Sequence, residues 1–341
     1  MGKVLKIAGI TASVIIGAGF ATGNEIKKYF TQYGAWGYGI MALCAAVLFL
    51  GCVKLTGSGI RPGKAVLMPY VFFTYVLMLA ALGDLVQKNT ILPAWTGIAA
   101  GTAAAVLGVL AGFGRFTKIS GILSPVIALS LTAILLFTVK CPFASETHVY
   151  SNAAAAGPGT AVIFYCGYNF LSAVTILPDI GAECGQKQKI LGCGLGLAGV
   201  FLCILVINNA FLHVSDIAEA SDMPLIALIF SKGTECQNAV ALSLLSLVFL
   251  LSLCSSAVSF ARMAAADKNE RRTGLLLTAS GILPAFLGFG TLMDKVYPAF
   301  GCAGCLLLAL YLTGYFKKII LYRKNKFRSD YGRSSINNQK A

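Results

Sequence analysis

Apolar stretches about as long as a bilayer is thick recur ten times along this chain, at 4–30, 35–56, 66–87, 95–113, 119–139, 155–180, 190–213, 237–262, 273–290 and 296–321. A helix needs roughly 20 such residues to cross the hydrocarbon core, and in lipid a helix satisfies its own backbone. The pattern therefore predicts an all-α polytopic membrane protein with ten transmembrane helices. Composition agrees: 57% of the 341 residues are hydrophobic and 12% are charged, against about half and about a quarter in soluble domains. Residues 1–321 read as a single transmembrane domain, followed by a basic, disordered tail at 322–341. The first apolar run passes directly into Asn24-Glu25-Ile26-Lys27-Lys28 with no small-residue cleavage site, so it is expected to stay in the mature protein.

The formal net charge of +14 is first a statement about topology. With both termini placed in the cytoplasm, 21 of the 27 Lys and Arg residues fall on the inner side of a ten-span arrangement and six on the outer side. Each inner connection then carries at least two positive charges, as the positive-inside rule requires. The expected location is the bacterial cytoplasmic membrane, with the tail near anionic lipid. No remaining segment offers a nucleic-acid-binding fold, and the partners expected are the bilayer and a small-molecule substrate, with the chain a monomer or homodimer.

Enzyme chemistry finds little support. The two histidines, His148 and His213, lie near outer loop ends, and no paired carboxylates fall within a span. Most of the eleven cysteines sit in or beside spans as small apolar packing residues. Cys302 and Cys305 have Cys-x-x-Cys spacing but neither a second pair nor a nearby histidine. Cys141 and Cys236 fall on the outer side, and whether they pair stays open. No cofactor is expected beyond a coupling ion.

Two spans carry interruptions. The first reads Gly17-Ala18-Gly19-Phe20-Ala21-Thr22-Gly23 at membrane depth, where glycine weakens a helix and lets backbone approach a ligand. Irregular backbone there must line a cavity or be buried in protein. A half-helix restarting at the break would turn its amides toward a carboxylate; the alternative is a small-residue face admitting a neighbouring helix. The sixth span carries Tyr165-Cys166-Gly167-Tyr168-Asn169-Phe170, for which an aromatic packing kink is the alternative. Gly17 and Cys166 are 149 residues apart, and each interrupted span is the first of five. Five being odd, the halves enter the membrane from opposite sides. Paired interruptions in two inverted halves point to the binding site of a secondary transporter, with repeat one at about 4–140 and repeat two at about 155–321.

The run Gly17-Ala18-Gly19-Phe20-Ala21-Thr22-Gly23-Asn24-Glu25-Ile26, with the ten-span length and basic loops, resembles the YkvI-type membrane protein family of the amino acid–polyamine–organocation transporter superfamily. The resemblance implies the five-plus-five inverted-repeat fold of the leucine–sodium symporter, helices 1 and 6 broken, with substrate between spans one, three, six and eight. It also implies a sodium site formed by carbonyls from Ser13 to Ile16 and hydroxyls of Ser255 and Ser256, with Cys254 where the family pattern has threonine. On the residues alone, Ser252, Ser255, Ser256 and Ser259 are equally ordinary back-bonding serines. Proton-coupled relatives can carry a lysine in mid-span five; residues 119–139 have none, which favours sodium. Phe20 stands where a second sodium site would need asparagine.

The expected function is therefore secondary active transport, by alternating access, of an amino acid or related small zwitterion or amine in symport with a cation, sodium rather than protons. A non-transporting ligand sensor on the same fold is the other reading. Candidate substrate contacts are Gly17 to Gly23, Tyr75, Tyr165, Gly167, Tyr168 and Asn169, with Tyr70 a second tyrosine of span three able to hydrogen-bond substrate, though either tyrosine could simply be packed in the bundle core. Glu25 reads as an outer-gate ion-pair partner beside Lys27 and Lys28, or as a wet interfacial group. Asn208 and Asn209 read equally as pathway or capping groups, Asp84 and Asp294 as solvated rim residues, and the segment after Asp216 as a short helix over the outer vestibule.

Overall fold

The computed structural model describes residues 2–59, 62–111, 113–139, 157–214, 220–264 and 270–314. The basic tail, His148, Cys141, Asp216, Glu219 and several charges used above to orient the chain, among them Arg61, Lys140 and Lys268, lie outside the described residues.

The first span is three short helices: α1 (Gly2–Ile15), α2 (Ala18–Thr22) and α3 (Asn24–Tyr29). Then come α4 (Trp36–Leu55), α5 (Lys64–Asn89), α6 (Ala94–Ala111) and α7 (Phe113–Val139), followed by α8 (Pro158–Ile176) and α9 (Gln186–His213). A short helix, α10 (Pro224–Lys232), leads to α11 (Glu235–Ala264), α12 (Glu270–Ser280), α13 (Ile282–Ala285), α14 (Phe289–Lys295) and α15 (Tyr297–Leu312). Seven of these helices are long and apolar enough to cross a membrane. The expected ninth span is sharply bent: the stretch Arg272–Ala285 meets Phe289–Lys295 at 93°. Pro284 and the positive φ of Gly288 (81°) lie at the corner.

The sixth span departs from the sequence reading. Helix α8 runs unbroken through Tyr165 to Phe170 and gives way only at Ile176, to a 3₁₀ turn over Leu177–Asp179. Its glycine serves packing instead. A β-carbon on Gly167 would collide with the Gly301 carbonyl of α15, and one on Gly304 with the Gly167 carbonyl. Small residues on both sides let the two backbones touch. Within α8 the Asn169 amide donates to the Tyr165 carbonyl at 2.9 Å.

Similar seams hold α1 between its neighbours. A β-carbon on Gly9 would meet the Gly121 carbonyl of α7, and one on Gly196 of α9 would meet that of Ala8. Helix α5 packs against α6 and α11, α8 against α4 and α15. Leucines at 43, 50, 107, 202 and 306 are exposed, as a lipid-facing surface requires. The buried interior is thus reached by the broken first span with α5, α8 and α11 around it.

Candidate functional site

Helix α1 stops at Ile15, and Gly17 is extended (φ −118°, ψ −166°) before α2 begins. The carbonyls of the last turn of α1 therefore run out of intrahelical amides. At this break lies a cavity of about 90 Å³ lined by residues 13–17, Glu25, Tyr70, Thr74 and Met78 of α5, Ser124 of α7, Tyr168, Asn169 and Ser172 of α8, and Ser252, Ser255, Ser256 and Ser259 of α11. Its wall mixes hydroxyls, carbonyls and two tyrosines with apolar side chains, among them Val71, Met78, Ile176 and Leu251. A site of this size holds a solute of a few heavy atoms, since one water takes roughly 10–15 Å³ and drug-sized ligands about 300–1,000 Å³.

The sequence-derived candidates divide. Ser13, Ile16, Gly17, Glu25, Tyr168, Asn169, Ser255 and Ser256 all line the cavity. Phe20 and Ala21 are buried in the core instead, and Thr22 bonds back to the Gly19 carbonyl at 3.2 Å. Gly19 and Gly23 do not line the cavity; of Ala18 only the backbone is described. Tyr165 packs edge-on against Phe30, 4.8 Å between ring centroids, and Gly167 lies in the α8–α15 seam. Tyr75 turns away from the cavity altogether: its hydroxyl donates to the Thr278 carbonyl of α12 at 3.2 Å, and its ring lies over Gly281.

Glu25 is not an outer-gate ion pair. Helix α3 carries it inward, 3% exposed, and the neighbouring lysines turn outward. Lys27 donates to the Ser221 carbonyl at 2.6 Å and Lys28 pairs with Asp294. Asp294 is thus an ion-pair partner as well as a rim residue. Lys88 pairs with Asp222 at 3.1 Å, while Asn24 donates to the Asp222 carbonyl at 2.9 Å. The Phe289 amide donates to Asp84 at 3.0 Å. These bonds tie α3, α5 and α14 to the short segment ahead of α10. Asn209 accepts from Tyr38 at 3.4 Å, whereas the fully buried Asn208 side chain has no hydrogen-bond partner among the described residues.

Tyr70, the second tyrosine of span three read as a substrate contact, lines the cavity, as do Ser252 and Ser259; Thr74, Ser124 and Ser172 complete the wall without standing among the sequence-derived site residues. Tyr70 bonds to Ser172, and Thr74 donates to Ser256 at 3.2 Å. A faint signal existed: Thr74 follows Tyr70 by one helical turn, and the serines of α11 recur at 252, 255, 256 and 259, a one-face spacing. Among the described residues no group of three or more His, Cys, Asp or Glu could hold a metal ion. The polar part of the wall offers oxygen donors, with no cysteine or histidine among the lining residues.

No protein-family model matches the chain. The uncharacterized membrane protein YkvI of Bacillus subtilis (strain 168) is 20% identical over 340 residues, the match covering 88% of this chain and 92% of that protein. The resemblance carried by the span-one motif thus extends along almost the whole length of a YkvI protein. Among solved structures, Mhp1, a nucleobase-cation-symport-1 family transporter in a closed conformation with bromovinylhydantoin bound, superposes with a TM-score of 0.52 at 17% identity over 92% of this chain and 78% of that chain. A manganese transporter of Eremococcus coleocola gives a TM-score of 0.48 at 12% identity, over 91% of this chain and 77% of its own. The likeness to Mhp1 shows the fold: this is a multi-pass helical membrane protein with the overall helical architecture of that structure.

Proposed function

We propose that the protein is a secondary active transporter that moves an amino acid or a related small zwitterion or amine by alternating access, in symport with a cation, sodium in preference to protons. The observation that carries this reading is the partly polar cavity at the break in the first span, walled by α1, α5, α8 and α11 within an apolar bundle. Buried polar surface in a membrane protein is costly, and binding a polar solute or ion is the use that offsets it. In this reading the chain forms ten spans in two inverted halves within one domain at 1–321, both termini cytoplasmic in the bacterial plasma membrane. The carbonyl end of α1 from Ser13 to Ile16 and Ser255 and Ser256 of α11 line the same cavity, a set of oxygen donors that supports the sodium reading.

Purified protein in liposomes should accumulate a labelled amino acid or amine down an imposed inward sodium gradient. Binding without uptake would replace the transporter with a ligand sensor.

A further inference from the structure

We infer that the cavity is an ammonium site, in which the Glu25 carboxylate is the counter-ion for a positively charged nitrogen on the substrate. This rests on the transporter reading and narrows it to small amines and other cations, with no requirement for a substrate carboxylate.

Among the described residues, Glu25 is the one charged side chain in the cavity lining. It is almost fully buried, and its Oε2 has no hydrogen-bond partner among them. Asn169 and Tyr297 approach the carboxyl from α8 and α15, but neither carries a positive charge. The lysines close by in sequence are engaged elsewhere, Lys27 on the Ser221 carbonyl and Lys28 on Asp294. A carboxyl in low dielectric is ionised only with a cation beside it, so an ammonium is the partner that lets Glu25 carry its charge.

The surroundings favour an organic cation over a second acid. Tyr168 stacks on Tyr297 with centroids 3.8 Å apart, Tyr29 stacks on the same ring at 5.5 Å, and Tyr70 meets Tyr168 edge-on at 5.4 Å. Of these rings Tyr70 and Tyr168 line the cavity, and tyrosine rings attract ammonium groups within about 6 Å. A substrate carboxylate in the same space would face Glu25 with no cationic side chain to offset the repulsion.

Three probes of nearly equal shape separate the alternatives: ethanolamine, glycolamide and glycolate, which are cationic, neutral and anionic at neutral pH. With the full-length protein at fixed sodium, ethanolamine should raise the melting temperature saturably, and the other two should not. Glu25→Gln should weaken ethanolamine binding at least about thirtyfold, the usual scale for removing one member of a buried charge pair, and Glu25→Asp should recover part of it. Glycolate matching ethanolamine, or Glu25→Gln binding ethanolamine as the parent does, would overturn the inference. So would a response to sodium alone that depends on Glu25 while no probe binds. Should Glu25→Gln not fold, the three-probe comparison on the parent protein decides. Ethanolamine bound through Glu25 but not accumulated in liposomes leaves the ammonium site and removes transport; an accumulated acid with no amine binding does the reverse.

Discussion

The Glu25 carboxyl folds back onto the α-carbon of Gly19, one element earlier in the chain, so closely that a β-carbon there would overlap it. Gly19 thus gives the carboxyl its seat, and the glycine-rich run reads as two devices: Gly17 opens the helix and Gly19 makes room for the acid. Gly19→Ala is expected to push Glu25 out of position and abolish ethanolamine binding, at a folding cost of about 1–3 kcal/mol for the overpacked methyl. Thermal melts with and without ethanolamine measure both. Binding at the parental level would detach Gly19 from the site.

Gly23 does different work. It joins α2 to α3 in the left-handed region, φ 79°, and a β-carbon would sit 2.6 Å from the Phe211 ring and 3.1 Å from the Leu225 β-carbon. Backbone strain of roughly 1–2 kcal/mol adds to a packing clash of about 1–3 kcal/mol. Gly23→Ala should therefore lower the melting temperature more than Gly19→Ala does, while the folded fraction still binds ethanolamine. An equal or smaller loss of stability would contradict this division.

The break in span one and the unbroken span six show what the sequence carries. Glycine marks where backbone comes close to something, and at Gly17 that something is a cavity belonging to the same stretch of chain. At Gly167 it is α15, more than 130 residues later, and only the Gly301 and Gly304 contacts distinguish close packing from an opening. Glu25 looks interfacial because Lys27 and Lys28 follow it, yet a helix turns a side chain two positions on to a different face, and Lys28, three positions on, is drawn away to Asp294 of α14. The long apolar helices were legible because lipid demands continuous apolar length; the 93° bend of the ninth stretch was not, since it depends on a turn between two helices each too short to read.

Tyr75 is a control. Its hydroxyl is engaged by the Thr278 carbonyl and lies outside the cavity wall, so Tyr75→Phe should leave binding and uptake unchanged. The lost hydrogen bond should cost about 1 kcal/mol, visible as a small drop in melting temperature. A changed apparent affinity for ethanolamine would place Tyr75 in the site after all.

Ser255 and Ser256 carry the prediction for the coupling ion. They line the same cavity as the carbonyl end of α1, and Ser256 already bonds the Ser252 carbonyl at 3.0 Å while accepting from Thr74 at 3.2 Å. A cation there would use oxygen lone pairs that these bonds leave over, so removing both hydroxyls takes away ligands without emptying a core position. At a sodium concentration 100 times its dissociation constant, binding to the native state alone would stabilise by about 2.7 kcal/mol. The double variant Ser255→Ala, Ser256→Ala should lose most of that sodium-dependent rise in melting temperature and show flat uptake against sodium, while ethanolamine still binds through Glu25. A sodium response equal to the parent's would remove these serines from the coupling site, and a response lost only with Glu25→Gln would move the sodium ion to the carboxylate.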